Sequence, residues 1–261
     1  MKIGVCAGTE KLPLLAELKY DYFEPCFSWL ASLDEAAFRE QTALVEKYGL
    51  AAESYNIFFR GDARLYAKDG NQDALLKDIE AFANAGFARA AAWGGKVVVI
   101  GSGFVRRIPA DMTREEVEPQ LARVLAVCGE AAAKNGMLVT VEPLSLRYCN
   151  YIQTVKESAN IATLSGHTAV GAMVDFYHLW KENDDFDALP EYADQLWHAH
   201  SARPVDRYIP EEKDQEHTWA CAEILKKCSK VERISLECDW LKDFDTDIRL
   251  ARPHMEIFHT V

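Results

Sequence analysis

The chain has 261 residues, 49% of them hydrophobic and 27% charged, which is enough apolar material for a sizeable core and unlike a disordered, collagen-like or disulfide-scaffold composition. The formal net charge of −12 disfavours a surface built to grip a nucleic acid backbone, because phosphate neutralisation needs clustered Lys and Arg. The N-terminal MKIGVCAGTEKLP has too short an apolar segment for a signal peptide and no stretch approaches the length that spans a bilayer, so a cytoplasmic protein without membrane or nucleic acid partners is expected.

Short apolar, β-rich runs alternate with helix-period stretches along the whole chain, the pattern of successive βα units. KIGVCA and YDYFEP are the first two predicted strands, the second carrying Glu24. DEAAFREQTALVEKYGL then predicts a helix, with Asp34 as its N-cap and Gly49 as its stop. The third strand is AAESYNIFF, which contains Glu53, and the fourth is KVVVIGS, followed by Arg106 and Arg107. TREEVEPQLARVLAVCGEAAAKNGM predicts a long helix in which Thr113 caps, Glu116 completes a capping box and Gly136 lies near the end. LVTVEPL, AVGAMVDF, LWHAHSA and RISLECD complete a set of eight strands.

Several of these strands are apolar almost throughout, as expected when both faces are covered. No linker, charge block or low-complexity tract divides the chain, and the two longest irregular segments are expected after the fourth and seventh strands. The prediction is one domain over residues 1–261, a (β/α)8 TIM barrel with its chemistry at the C-terminal face. The seven cysteines are an odd number with no C-x-x-C pair, so reduced thiols are expected, those in strands serving as small core residues.

The last four predicted strands close on Glu142, Asp175, His200 and Glu237. One such ending means little, since a carboxylate beyond a strand is often a helix cap, but four in consecutive units predict ligands converging on one divalent metal at the barrel rim. Three carboxylates with one imidazole suit Mn²⁺, Mg²⁺ or Co²⁺ at least as well as Zn²⁺. His198, two residues earlier on the same face, is placed deeper, as a histidine behind the ligands or in the core.

The segments VEPLSLRY, VDFYHLW, HAHSARPVDRYIP and SLECDW resemble the xylose-isomerase-like barrels, a group that includes sugar phosphate isomerases and epimerases, ketose 3-epimerases and endonuclease IV. The resemblance covers nearly the whole chain and is most specific in its last half. It implies that Glu142, Asp175, His200 and Glu237 hold one metal, and that His178 and Arg207 contact substrate, with Arg203 as an alternative register for the arginine. It also implies a sugar or sugar-phosphate substrate, polarised for proton abstraction next to a carbonyl, with Glu142 and Glu237 as base and acid. Barrels of this kind are often dimers or tetramers, so a homo-oligomer is expected. One departure stands out: ketose 3-epimerases usually carry a second, substrate-contacting glutamate after the first, and here Tyr148 or Cys149 stands in that place.

Other residues carry weaker expectations. Arg106 and Arg107 are expected to hold a phosphate or carboxylate on the substrate, against the alternative of a local salt bridge. Glu53 and Glu24 are candidates for binding sugar hydroxyls, against neutralisation by an arginine such as Arg60. Trp29, Phe58, Phe104, Trp180, Tyr208 and Trp240 fall in or near rim loops, where packing is the expected role for most and lining a sugar site the alternative. An endonuclease IV-like repair nuclease would need many more ligands for its metal cluster, and the SYNIFF and GSGF strand ends offer no histidine. A keto-inositol dehydratase begins with the same proton abstraction and stays an alternative, as does a barrel retained only for binding.

Overall fold

The computed structural model describes residues 1–261. The first half contains β1 (Lys2–Cys6), α1 (Leu12–Glu17), β2 (Tyr22–Glu24), α2 (Phe27–Ser32), α3 (Glu35–Tyr48), β3 (Ser54–Tyr55), α4 (Asp73–Ala92), β4 (Val97–Ile100), α5 (Gly103–Arg106) and α6 (Arg114–Lys134). The second half contains β5 (Leu138–Val141), α7 (Val155–Ser165), β6 (Val170–Asp175), α8 (Phe176–Lys181), β7 (Leu196–Ser201), α9 (Gln215–Leu225), β8 (Arg233–Leu236) and α10 (Phe244–Met255). All ladder pairs are parallel, in the order β2-β1-β8-β7-β6-β5-β4-β3. The seam between β2 and β3 is bridged just beyond their ends, where Asn56 N donates to Pro25 O (3.2 Å) and Phe27 N to Asn56 O (2.8 Å). Eight parallel strands thus form a nearly closed barrel with helices between them, the TIM barrel expected from the sequence.

Local chemistry explains the boundaries. Asp34 accepts from Ala37 N (2.8 Å) at the start of α3, and Gly49 ends that helix at φ 63°, a conformation that costs glycine little. The Thr113–Glu116 capping box opens α6, and Gly136 at φ 65° turns the chain into β5. Strands β4 and β6 are buried along their whole length, as sheet residues covered on one face by the barrel interior and on the other by helices must be.

The third strand is much shorter than AAESYNIFF suggested. Only Ser54 and Tyr55 pair, and residues 56–72 leave the sheet as the longest irregular segment, which therefore follows β3 rather than β4 or β7. The aromatic run that read as strand has another use: Phe58 stacks on Phe27 (4.5 Å) and meets Phe82 and Phe87, tying the loop to α2 and α4. Burying several phenylalanines against helices outweighs the few ladder bonds a longer strand would add.

Candidate active site

Four strands deliver the central cluster. Asp175 and His200 are direct neighbours in the β6–β7 ladder, Glu237 N donates to Ser201 O (3.0 Å), and Glu142 N donates to Ile100 O (3.2 Å). Each residue offers one ligand atom, and these atoms all lie within 4.8 Å of one another. His200 Nδ1 is 3.0 Å from Glu237 Oε2, 3.6 Å from Glu142 Oε1 and 3.9 Å from Asp175 Oδ2.

The donor set fits a divalent cation. Glu142 Oε1, Asp175 Oδ2 and His200 Nδ1 are buried with no hydrogen-bond partner, although each sits where a partner is worth kilocalories. Three orphaned atoms aimed at one small volume, three oxygens and one nitrogen in all with Glu237, form the mixed hard site that Mn²⁺, Mg²⁺ or Co²⁺ accepts and that Zn²⁺ tolerates.

For Asp175 and His200 the second oxygen or nitrogen is committed elsewhere, which fixes the orientation of the first. Asp175 Oδ1 caps α8 by accepting from His178 N (3.1 Å). His200 Nε2 donates to Glu24 Oε1 (2.9 Å), so Nδ1 is the atom left for the site. Glu24 Oε2 accepts from His198 Nε2 (3.0 Å), Ser54 Oγ (2.5 Å) and Ser235 Oγ. Four donors fill the acceptor capacity of one carboxylate, which is how a fully buried Glu24 stays charged. Burial works against that charge, but His200 and His198 hold the carboxyl well below the usual range. Glu142 has room only because residue 101 is glycine: a Cβ there would lie 2.0 Å from Glu142 Oε2.

The electrostatics separate the two glutamates. Burial pushes the Glu142 carboxyl up, and the neighbouring Glu237 charge adds to it. Burial opposes ionisation of Glu237 as well, yet the charges of His200 and Arg207 outweigh it and bring that carboxyl down to about 2. Asp175 is raised by burial, with Arg207 acting against the rise. For His200, burial opposes protonation but Glu24 and Glu237 raise its pKa well above 6.5. His178 is driven down to about 4 by burial and is neutral at pH 7.

The loop after β7 covers one side of this cluster. Arg207, held at φ 65°, sends Nη2 to Glu237 Oε2 (2.6 Å) and Nη1 to His178 Nε2 (3.2 Å). Its guanidinium lies 5.3 Å from the Tyr148 ring and 5.2 Å from the Tyr177 ring, a pair of aromatic faces that orient the cation. Arg203 is turned away into a two-bond pair with Asp206 (2.7 Å each) and a 2.8 Å pair with Glu211, so it clips the loop while Arg207 meets the cluster. Tyr148 lines the site, its ring 5.1 Å from that of His178, whereas Cys149 is fully buried in the core.

Three expected site residues lie elsewhere or play other parts. Glu53 precedes its two-residue strand, and its carboxylate pairs with Lys2 and with Arg233 Nε (3.3 Å) at the N-terminal ends of β1 and β8, the opposite end of the barrel from the cluster. A substrate-contacting role for Glu53 is therefore corrected to a salt bridge at the barrel floor. Arg106 and Arg107 are split by the turn of α5: Arg106 is fully buried and donates Nη1 to Ile100 O (3.1 Å) and Glu142 O (2.8 Å), while Arg107 is exposed, with Nη2 3.4 Å from Tyr148 O. Arg106 thus supports the backbone of Glu142 and has no surface with which to meet substrate. Glu24 spends its carboxylate on the two histidines and on Ser54 and Ser235. Sequence reasoning missed Ser54, Ser235, Tyr177 and Gly101; a carboxylate at one strand end and two histidines on one face of another were the available signal for the Glu24 network.

A family model described as a xylose isomerase-like TIM barrel matches residues 12–219. No curated protein matches the chain at a significant level. Among solved structures, a 3-keto-D-glucoside 4-epimerase from E. coli is 24% identical with a TM-score of 0.77, each chain covered over 100% of its length. A D-psicose 3-epimerase from Clostridium cellulolyticum H10 is 16% identical with a TM-score of 0.82, covering 100% of this chain and 99% of its own. A family 2 AP endonuclease from Brucella melitensis is 17% identical with a TM-score of 0.77, covering 97% of each chain. At these identities the likeness shows the fold.

Proposed function

The chain belongs to the xylose isomerase-like TIM barrel family, and from that premise we propose that it is a divalent-metal-dependent isomerase or epimerase acting on a sugar or sugar phosphate. The observation that carries this reading is the four-residue cluster, in which ligand atoms of Glu142, Asp175 and His200 converge without partners of their own. A divalent cation held by Glu142, Asp175, His200 and Glu237 supplies Lewis-acid polarisation of a substrate carbonyl, which acidifies the adjacent C–H.

Glu142 and Glu237 border the same small volume, and each would keep one carboxylate oxygen free of the cation, so they are the pair to accept that proton and return one. The roles exchange in the reverse reaction. Neutral His178 and the charged Arg207 hold substrate oxygens, and Arg207 balances the negative charge that grows on the carbonyl oxygen. Arg107, exposed on the loop after β4, is the residue left to meet a phosphate on the far end of a substrate. The neighbours with sugar epimerase activity support this substrate class, whereas the nuclease reading finds no histidine in SYNIFF or GSGF to extend the ligand set.

Incubation with Mn²⁺ and a panel of ketoses, keto-sugars, their phosphates and keto-inositols, with products followed by NMR, tests the proposal. Interconversion of epimers or isomers and about one metal ion per chain are expected. Loss of water instead of interconversion would move the assignment to a dehydratase; several tightly held metals with cleavage of abasic DNA would sink it.

A further inference from the structure

Both ring nitrogens of His178 face groups that only donate. Ser145 N lies 3.2 Å from Nδ1, and Arg207 Nη1 lies 3.2 Å from Nε2. A neutral imidazole has one lone pair and one N–H, so only one of these two contacts is a hydrogen bond. The surroundings decide which. Ser145 is buried, and its N–H has no partner other than His178 Nδ1. That N–H is also held in place: Ser145 O accepts from Tyr148 N (2.8 Å) and Cys149 N (3.1 Å), and Leu146 N donates to Glu182 Oε1 (2.9 Å) just beyond α8, the helix that carries His178. A buried backbone N–H is an obligatory donor, whereas the Arg207 guanidinium has other donors and already reaches Glu237 Oε2 through Nη2 (2.6 Å).

We infer that the Ser145 N–H fixes His178 as its Nε2–H tautomer, which makes Ser145 a positioning residue and turns His178 into a hydrogen-bond donor beside the cluster. Nδ1 keeps its lone pair for Ser145, so the ring is neutral and its one proton sits on Nε2. The ring is fully buried, with the Tyr148 and Tyr177 rings each 5.1 Å away and steeply inclined to it, so it is not free to turn over. Asp175 Oδ2, at 3.9 Å, is too distant to accept from Nε2. Nε2–H and Arg207 Nη1–H are therefore two donors 3.2 Å apart that lack an acceptor, and one substrate oxygen accepting from both satisfies them. The inference rests on the isomerase reading above and adds the direction of one hydrogen bond to it. His178 gives a hydrogen bond to the oxygen on which negative charge grows and takes no proton from carbon; the other tautomer would present a lone pair to that oxygen and oppose the reaction.

The test uses ¹⁵N-labelled protein loaded with Mg²⁺, a diamagnetic cation. Long-range ¹H–¹⁵N spectra read the tautomer of each of the seven histidines, and the His178 signals are those that His178→Gln removes. A protonated Nε2 and a bare Nδ1 are expected in wild type and in Ser145→Ala, which keeps the N–H and loses only the hydroxyl 3.2 Å from Nδ1. A proton on Nδ1 in wild type, alone or with one on Nε2, would overturn the inference, as would a change of tautomer in Ser145→Ala. Kinetics separate a donor from a proton carrier, because His178→Gln retains an N–H and His178→Leu has none. On a keto-sugar, kcat should fall about 10²–10³-fold for His178→Leu and roughly tenfold less than that for His178→Gln. Equal losses in the two variants would overturn the donor role. Absence of wild-type turnover with every keto-sugar, alongside a bare Nδ1, would overturn the isomerase reading and leave the tautomer standing.

Discussion

Glu24 sits one bond behind the cluster, yet its four hydrogen bonds decide which nitrogen of His200 faces the carboxylates. Glu24→Gln replaces an acceptor with an amide that cannot accept from both histidines, so metal affinity should fall about 10–100-fold with the ligands untouched. Calorimetric Mn²⁺ titration checks this, and an unchanged affinity would mean that His200 is oriented by packing alone. At this scale the sequence was uneven in what it revealed. Glu142, Asp175, His200 and Glu237 were legible because each follows an apolar run that ends at the same level of the barrel. Glu53 was not, because its strand starts one residue later, and a carboxylate before a strand belongs to the opposite end of the barrel from one after it. Arg106 was misread because Arg106 ends a short helix and Arg107 lies just beyond it, so the two point in different directions, a fact that spacing alone does not carry.

Helix caps could be read directly from residue type, since an aspartate or threonine before an apolar-periodic stretch has one dominant use. Asp34→Ala should cost about 1 kcal/mol in denaturant unfolding with turnover unchanged, because α3 is capped far from the cluster. Loops were harder to read: residues 56–72 carry strand-like aromatics whose partners on α2 and α4 are distant in sequence. The loop after β4 holds a second device. Gly101 leaves space for Glu142, so Gly101→Ala should displace the carboxylate, cost about 1–3 kcal/mol and lower metal affinity along with it. A variant that binds metal as tightly as wild type would show that Glu142 has room to move.

For the whole molecule, the cluster links folding, pH and metal. In the metal-free protein His200 has a raised pKa, so the stability it contributes is full below 6.5 and is lost as pH rises through its folded value. Glu24 has a depressed pKa, so its contribution is full above 4.5 and is lost as pH falls through its folded value. Raised Glu142 and Asp175 carry a cost that grows as pH rises, the same direction as His200. Thermal unfolding of metal-free protein should therefore show lower stability at pH 8 than at pH 6, and Mn²⁺ should reverse the order, because a cation takes the place of the proton on His200 Nδ1. Metal affinity should rise with pH, by up to about tenfold per unit where one proton is displaced. Affinity independent of pH would exclude His200 as a ligand. The fold itself was legible as eight βα units, since a parallel sheet covered on both faces leaves continuous apolar runs, whereas which rim loops converge depends on contacts between distant units.

The central claim is that Glu142 and Glu237 move protons at a metal site. The direct measurement is deuterium incorporation from D₂O into a keto-sugar, followed by NMR with Mn²⁺-loaded wild type, Glu142→Gln and Glu237→Gln, each checked for bound metal and folding. Wild type should exchange the C–H next to the carbonyl, and either substitution should slow exchange by about 10²–10⁴-fold. Exchange that persists at the wild-type rate in both metal-loaded variants would contradict the account.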